Sequence, residues 1–527
     1  MNRRSLSRHI FLGTLILAPA LAAQTRRAAT PRSPAVAPFS VVETSIEFMR
    51  MALEQGRTTS RAIVQQYLIR IATYEDRLHA AITVNPDALK LAEERDRERA
   101  QGKLRGPLHG VPVALKDNIH TTDMRTTGGA LAFEDLVPPY EATITKQLKD
   151  AGAIILAKTN LDELALGSRG LSTVGGQTLN PYDLSRNPGG SSGGSAVAVA
   201  AGFATIGLGT ETGFSIRSPA SNTAIVGFVP TRGLISRAGV MPISFTQDRV
   251  GVHARSVDDA ATIAQALRGF DDGDMSTEQG LTLSQDPLRP IPAADGLRVG
   301  VLTEMFRDGD AFAAFNSVVL AQRAALVRAG MTVIDGLSTG SNPIAMMPDL
   351  RVNSFELRSA FDAYLTRRGP NSPVKTFADL VAGGKYLRGG TLETRFQETM
   401  KLGDLKENAD YQRRLRAQVA LRSRLVALME QHQLAALMYP VKSLPAPPIG
   451  TSDDGTRDNN ISAVTGLPAI VLPAAFDSSG LPIAVEFLGR PFSEPRLLTV
   501  AAAFQRANPV RLTPPSTPSR AADTIRY

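Results

Sequence analysis

The sequence predicts an α/β fold in one large domain, and three observations lead there. Short apolar runs alternate with helical patterns: residues 111–115, 142–151 and 153–157 read as strand, helix and strand. The alternation returns at 297–302, 311–329 and 331–334. Between Val41 and Pro509 there is no internal repeat and no clean linker that would divide the chain. A hydrophobic content of 43% with 20% charged residues suits a protein with a substantial core.

Taken in order, the chain opens on Arg3, Arg4 and Arg8 before an apolar run at 10–23, closed by Ala20-Leu21-Ala22. A basic start, an apolar middle and a small-x-small end predict a cleaved export signal over residues 1–23. The run is too short to span a bilayer, so the mature protein is expected to be periplasmic or secreted, by the Sec or twin-arginine route, with no stable membrane insertion. Residues 24–40 read as a flexible spacer. Arg3, Arg4, Arg8, Arg26, Arg27 and Arg32 account for most of the formal charge of +8. What remains forms no basic stripe, so no nucleic-acid partner is expected.

Within the body of the chain, Thr44 or Ser45 predicts a helix start running through 55, and Thr58 to Ser60 a second helix to about 75. Pro86 suits the first turn of a third helix, 87–101, whose alternating acids and bases read as a solvated face. Further helices are predicted at 256–268 and 494–506, with strands at 434–439, 469–473 and 483–488. The stretch 346–433 reads as mainly helical and carries no catalytic signature. The catalytic domain is bounded at 41–510, followed by a C-terminal tail, 511–527.

The chemistry is sought in Pro188-Gly189-Gly190-Ser191-Ser192-Gly193-Gly194-Ser195 and in the Gly/Thr-rich stretch that ends Gly213-Phe214-Ser215-Ile216-Arg217. Glycine lets main-chain N–H groups approach a ligand closely, and serine supplies hydroxyls that both donate and accept. Together they suit a site where backbone donors surround an oxygen that gains negative charge. The chain has no cysteine, which excludes a thiol nucleophile and Cys-based metal sites. Its six histidines show no metal-ligand spacing, so neither metal nor other cofactor is expected. Gly189-Gly190-Ser191-Ser192-Gly193 matches a G-x-S-x-G nucleophile elbow but lacks the buried strand that must precede it. Gly207, Gly209 and Gly213 miss the dinucleotide-binding spacing, and Ser372-Pro373-Val374-Lys375 places a proline where the S-x-x-K motif needs a helix. A fourth reading takes Lys116, at the end of the apolar run 111–115, as a neutral base for a serine, with a second hydroxyl as relay.

Lys116 in Leu115-Lys116-Asp117-Asn118, the Gly/Ser run and a serine 24 residues beyond Ser191 resemble the amidase signature family. So do Gly106 to Gly110, Lys158-Thr159-Asn160, Gly175-Gly176-Gln177-Thr178, Gly466 to Ala469 and Gly480-Leu481-Pro482, which carry the resemblance from about 45 to 506. The resemblance implies a single large mixed β-sheet flanked by helices, the amidase signature fold. It implies an acyl-enzyme on Ser215, Ser191 as bridging serine and Lys116 as general base. Backbone N–H groups of Thr212, Gly213, Phe214 and Ser215 would form the oxyanion hole. Glu211, Arg217 and Ser192 would brace it, and Asn160, Gln177 and Phe214 would contact substrate. Within the family the closest likeness is to exported bacterial peptide amidases, implying a small-molecule or peptide amide substrate and no obligate partner subunit. Phe214 stands where the family usually has glycine, and its ring is expected to narrow the acyl side of the cleft; the alternative is a ring packed into the core, with specificity set elsewhere. An esterase or urethane hydrolase with the same triad, or a weakly active binding protein of this fold, are the alternatives.

Overall fold

The computed structural model describes residues 39–527 apart from 284–285, 292, 369–371, 404, 452–458, 521–522 and 524–527. The expected export signal and nearly all of the spacer lie outside the described residues. Thirteen strands are assigned among those described: β1 Ala81–Val84, β2 Pro112–Lys116, β3 Ile154–Thr159, β4 Leu171–Ser172, β5 Gly176–Gln177, β6 Ile206–Glu211 and β7 Val226–Val229, then β8 Arg249–Ala254, β9 Arg298–Leu302, β10 Thr332–Leu337, β11 Ala436–Pro440, β12 Ala469–Phe476 and β13 Pro482–Leu488. Eleven of them make one sheet in the order β1-β3-β2-β6-β8-β7-β12-β13-β11-β9-β10, and β4 pairs with β5 separately. The sheet is mixed. β2 runs parallel to β3 and β6, and β9 to β10 and β11, while β6/β8, β8/β7, β7/β12 and β12/β13 are antiparallel.

The central strands β2, β6 and β8 are buried along their whole length, as apolar runs covered on both faces should be. Helices cover the sheet. Ile46–Glu54 and Ser60–Leu78 begin at Ser45 and Thr59, whose hydroxyls accept from Phe48 N and Ala62 N. Ala88–Ala100, Thr143–Asp150, Val257–Leu267 and Glu494–Ala507 fall within one or two residues of their predicted bounds, whereas the long helix predicted at 311–329 is broken into Asp310–Ala321 and Arg323–Arg328. Strands β1 and β4 to β8 have no counterpart in the sequence reading: β1, β4, β5 and β7 are only two to four residues long, β6 is rich in glycine and threonine, and Arg249–Ala254 bears charge, so each carries little local signal.

One helix is packed tightly against its surroundings. Gly193–Ala200 is buried at every residue and has no side chain larger than valine. A Cβ on Gly194 would collide with the carbonyls of Asn160 and Ala80. On the strand opposite, a Cβ on Gly209 would sit 2.7 Å from Ser192 Oγ. The Gly/Ser run is therefore a close-packed turn into a helix. The tail is docked as well: in its described part, Arg511 bonds Glu43 and Asp523 pairs with Arg70.

Candidate active site

Parallel pairing sets the site. Val113, Ala114 and Leu115 of β2 face Ile206, Gly207 and Leu208 of β6, so Lys116 ends beside Thr210 at the carboxyl edge of the sheet, where sites of open α/β sheets gather. Lys116 is fully buried. Its Nζ lies 2.7 Å from Ser191 Oγ, 3.0 Å from Thr210 Oγ1 and 3.4 Å from the Thr210 carbonyl. Asn118 Nδ2 also donates to Thr210 Oγ1, at 3.0 Å. Burial brings the Lys116 pKa down to about 7, against the opposing pull of Asp162, Asp248 and Glu211. A neutral amine has two hydrogens and one lone pair. The Thr210 carbonyl can only accept, so the lone pair is left for a hydroxyl, and that of Ser191 is the nearer of the two.

Ser191 follows a cis peptide bond from Gly190, and its carbonyl accepts from Asp162 N at 3.0 Å. Ser192 N donates to the Ser215 carbonyl at 3.2 Å, which sets the two serine segments side by side. Ser192 Oγ donates to the Thr210 carbonyl at 3.1 Å and thus fastens the turn to the end of β6. Ser215 is 8% exposed and lines a cleft of about 350 Å³ together with Thr212, Gly213 and Phe214. The two hydroxyls of Ser191 and Ser215 are not hydrogen-bonded to each other, a gap of the kind that closes when substrate binds.

The loop over Ser215 is aimed by its carbonyls. Gln247 Nε2 donates to Thr212 O at 2.9 Å, and Arg217 Nη2 to Gly213 O at 2.7 Å. Because N–H and C=O point oppositely across a trans peptide, these two bonds turn the amides of Gly213 and Phe214 the other way. Among the described residues the N–H groups of Gly213, Phe214 and Ser215 have no protein acceptor. Three open donors beside a hydroxyl suit a developing oxyanion. Glu211 braces the loop from below: its carboxylate accepts from Ile216 N, Arg217 N, Arg217 Nε and Arg249 Nη2. Arg217 reaches on to Glu486 at 2.8 Å, and all three side chains are fully buried. The carboxylates hold the Arg217 pKa above its ordinary value, although burial, the largest influence, opposes them.

Two of the three expected substrate contacts lie outside the cleft, and the third is largely buried. Asn160 is fully buried and its Nδ2 reaches the carbonyls of His79, Gly175 and Gly176 and the Thr178 hydroxyl, so it ties loops together. Gln177 Nε2 donates to the carbonyls of Arg169 and Thr178 and does not line the cleft. The Phe214 ring, with the residue only 3% exposed, packs into an apolar cluster with Val199, Ile225 and Val471, under the Arg217 guanidinium 5.0 Å from its centroid. The ring belongs to the core, and the residue also contributes to the cleft lining beside Ser215. Thr210, Asn118 and Gln247 were missed as neighbours of the site, as was a further part of the cleft lining: Arg351, Asn353, Phe355, Arg395 and Arg414 come from the stretch without a catalytic signature.

A model of the family described as Amidase matches residues 62–498. A probable amidase of Arabidopsis thaliana is 34% identical over 525 residues, covering 95% of each chain. A glutamyl-tRNA(Gln) amidotransferase subunit of Microcystis aeruginosa is 34% identical over 485 residues, 88% of this chain and 97% of that one. The X-ray structure of the native peptide amidase from Stenotrophomonas maltophilia superposes with a TM-score of 0.81 at 35% identity, covering 90% of this chain and 99% of the other. With that sheet, that buried lysine and these relatives, the chain belongs to the amidase family and is an amide-hydrolysing enzyme.

Proposed function

We propose that the protein is an exported serine amidohydrolase that cleaves C-terminal peptide amides through an acyl-enzyme on Ser215, without a partner subunit. The observation that carries this is the 2.7 Å contact between Ser191 Oγ and a fully buried Lys116 whose pKa is brought down to about 7. Lys116 takes the Ser191 proton as Ser191 takes that of Ser215, and Ser215 Oγ attacks the amide carbon. The oxyanion is received by the amides of Gly213, Phe214 and Ser215, after which the relay returns the proton to the departing amine. Water then repeats the sequence on the ester and frees Ser215. The peptide-amide substrate is supported by likeness to the Stenotrophomonas enzyme, and export by the basic-then-apolar N-terminus. Purified Ser215→Ala is expected to lose about 10⁴-fold or more in kcat and to escape labelling by a fluorophosphonate, while keeping its thermal transition. Ammonia release from a peptide amide by Ser215→Ala at a tenth of the wild-type rate would overturn the assignment. Fractionation of cells making the full chain checks export.

A further inference from the structure

We infer that the cleft over Ser215 is built to receive an amide that also carries a carboxylate, held by Arg351 and Arg395. This rests on the proposed chemistry at Ser215 and names its substrate class. No aspartate or glutamate lines that cleft among the described residues, whereas three arginines do. Arg414 is already engaged: its Nε donates to Asp410 at 2.9 Å and its Nη1 to the Arg351 carbonyl at 3.2 Å. Arg351 and Arg395 differ. Neither guanidinium makes a hydrogen bond or ion pair among the described residues, though both are partly buried.

Arg351 also feels the charge of Arg395. After burial, the charge of Arg395 is what lowers the Arg351 pKa, and no acid offsets it. Glu398, on the same helix Thr391–Lys401 and outside the cleft lining, partly offsets the burial of Arg395, which also lines a neighbouring cavity with Asp162 and Glu163. Two like charges at the wall of a cavity, with no acid among that cavity's described lining residues, oppose folding unless something offsets them. A guanidinium presents its donors in a planar fork that matches a carboxylate, and a bound carboxylate would relieve both groups. The oxyanion donors come from a different segment of the same lining, the loop after β6.

The test separates recognition from turnover by measuring equilibrium binding to Ser215→Ala. The probes are N-acetylated tripeptide amides with Glu, or its neutral isostere Gln, at each position in turn, together with succinamate against butyramide. The peptide and small-acid arms tell which kind of molecule supplies the carboxylate. At least one acidic probe is expected to bind about 10–100-fold tighter than its isostere, the size of a charge-assisted hydrogen bond. That ratio should shrink as salt is raised and fall to about one in Arg351→Gln/Arg395→Gln; Arg395→Glu should favour a Lys-containing probe instead. Equal binding of every acidic probe and its isostere, or a ratio untouched by both variants, overturns the inference. If the wild-type enzyme hydrolyses none of these amides, the proposed function fails, and the binding ratio still decides this one.

Discussion

Lys116 sits where loss of water, the largest influence on it, outweighs the attraction of three carboxylates, so its amine is neutral at little above pH 7. Only the neutral form accepts a proton, and kcat/KM should therefore rise with pH through about 7 and level off above it. The same shift has a stability consequence. Between the folded value of about 7 and the ordinary value of 10.5 the unfolded chain binds a proton that the folded chain does not, so stability should rise with pH across that window. A pH–rate profile that is flat from about 6 to 9, the range of a tuned base, would contradict the role. Lys116→Arg should be inactive as well, since a guanidinium stays charged. Phe214 makes a second test at this scale. Its ring lies among Val199, Ile225 and Val471, so Phe214→Ala should cost about 3–5 kcal/mol in urea unfolding. Relative kcat/KM across acyl groups should not move, because the ring does not face them.

Elements explain what the sequence could and could not disclose. Lys116 was legible because an apolar run that ends in lysine has few places to put the charge, and the helix starts at Ser45 and Thr59 because a hydroxyl before a helical pattern is a local signal. Asn160 and Gln177 misled because a polar residue after a strand reads alike whether it binds substrate or ties loops, and only their partners decide. The arginine wall was illegible: Arg351 and Arg395 meet through tertiary packing, with no shared motif. The Glu211 brace links both kinds of information, since it is local to β6 in sequence yet holds Arg217 against Glu486 of β13. Glu211→Ala leaves Arg249 without that carboxylate and strips Ile216 N and Arg217 N of their acceptor. Removing one partner of so buried a pair typically costs about 3–5 kcal/mol. Chemical denaturation should show that loss, and kcat should fall with it, because Arg217 also orients Gly213 O. A variant as stable and as active as wild type would mean the brace is dispensable.

At the scale of the whole molecule the C-terminus reaches back to the helix that carries the catalytic turn. Arg70, on Ser60–Leu78, is 1% exposed. It donates to the carbonyls of Ala201 and Gly202, just past the end of Gly193–Ala200, at 2.7 and 3.1 Å. Carbonyls left open at a helix end attract a cation, so Arg70 closes the helix that Ser192 opens. Its remaining donors are met from the tail, by the Asp523 carboxylate at 2.7 Å and the Thr517 carbonyl at 3.0 Å. The tail thus neutralises a buried charge against which the Ser191–Ala200 segment is seated. Ending the chain at Leu512 removes those acceptors, and with them the partner of a fully buried guanidinium, a change of about 3–5 kcal/mol. The truncated enzyme should unfold at lower urea with an unchanged slope, keep most of its kcat at low temperature, and lose activity on warming before the intact chain does. Asp523→Asn should give a smaller loss in the same direction, since the amide oxygen still accepts one bond. If truncation leaves the urea midpoint where it was, solvent alone satisfies Arg70 and the tail has no part in holding the catalytic turn.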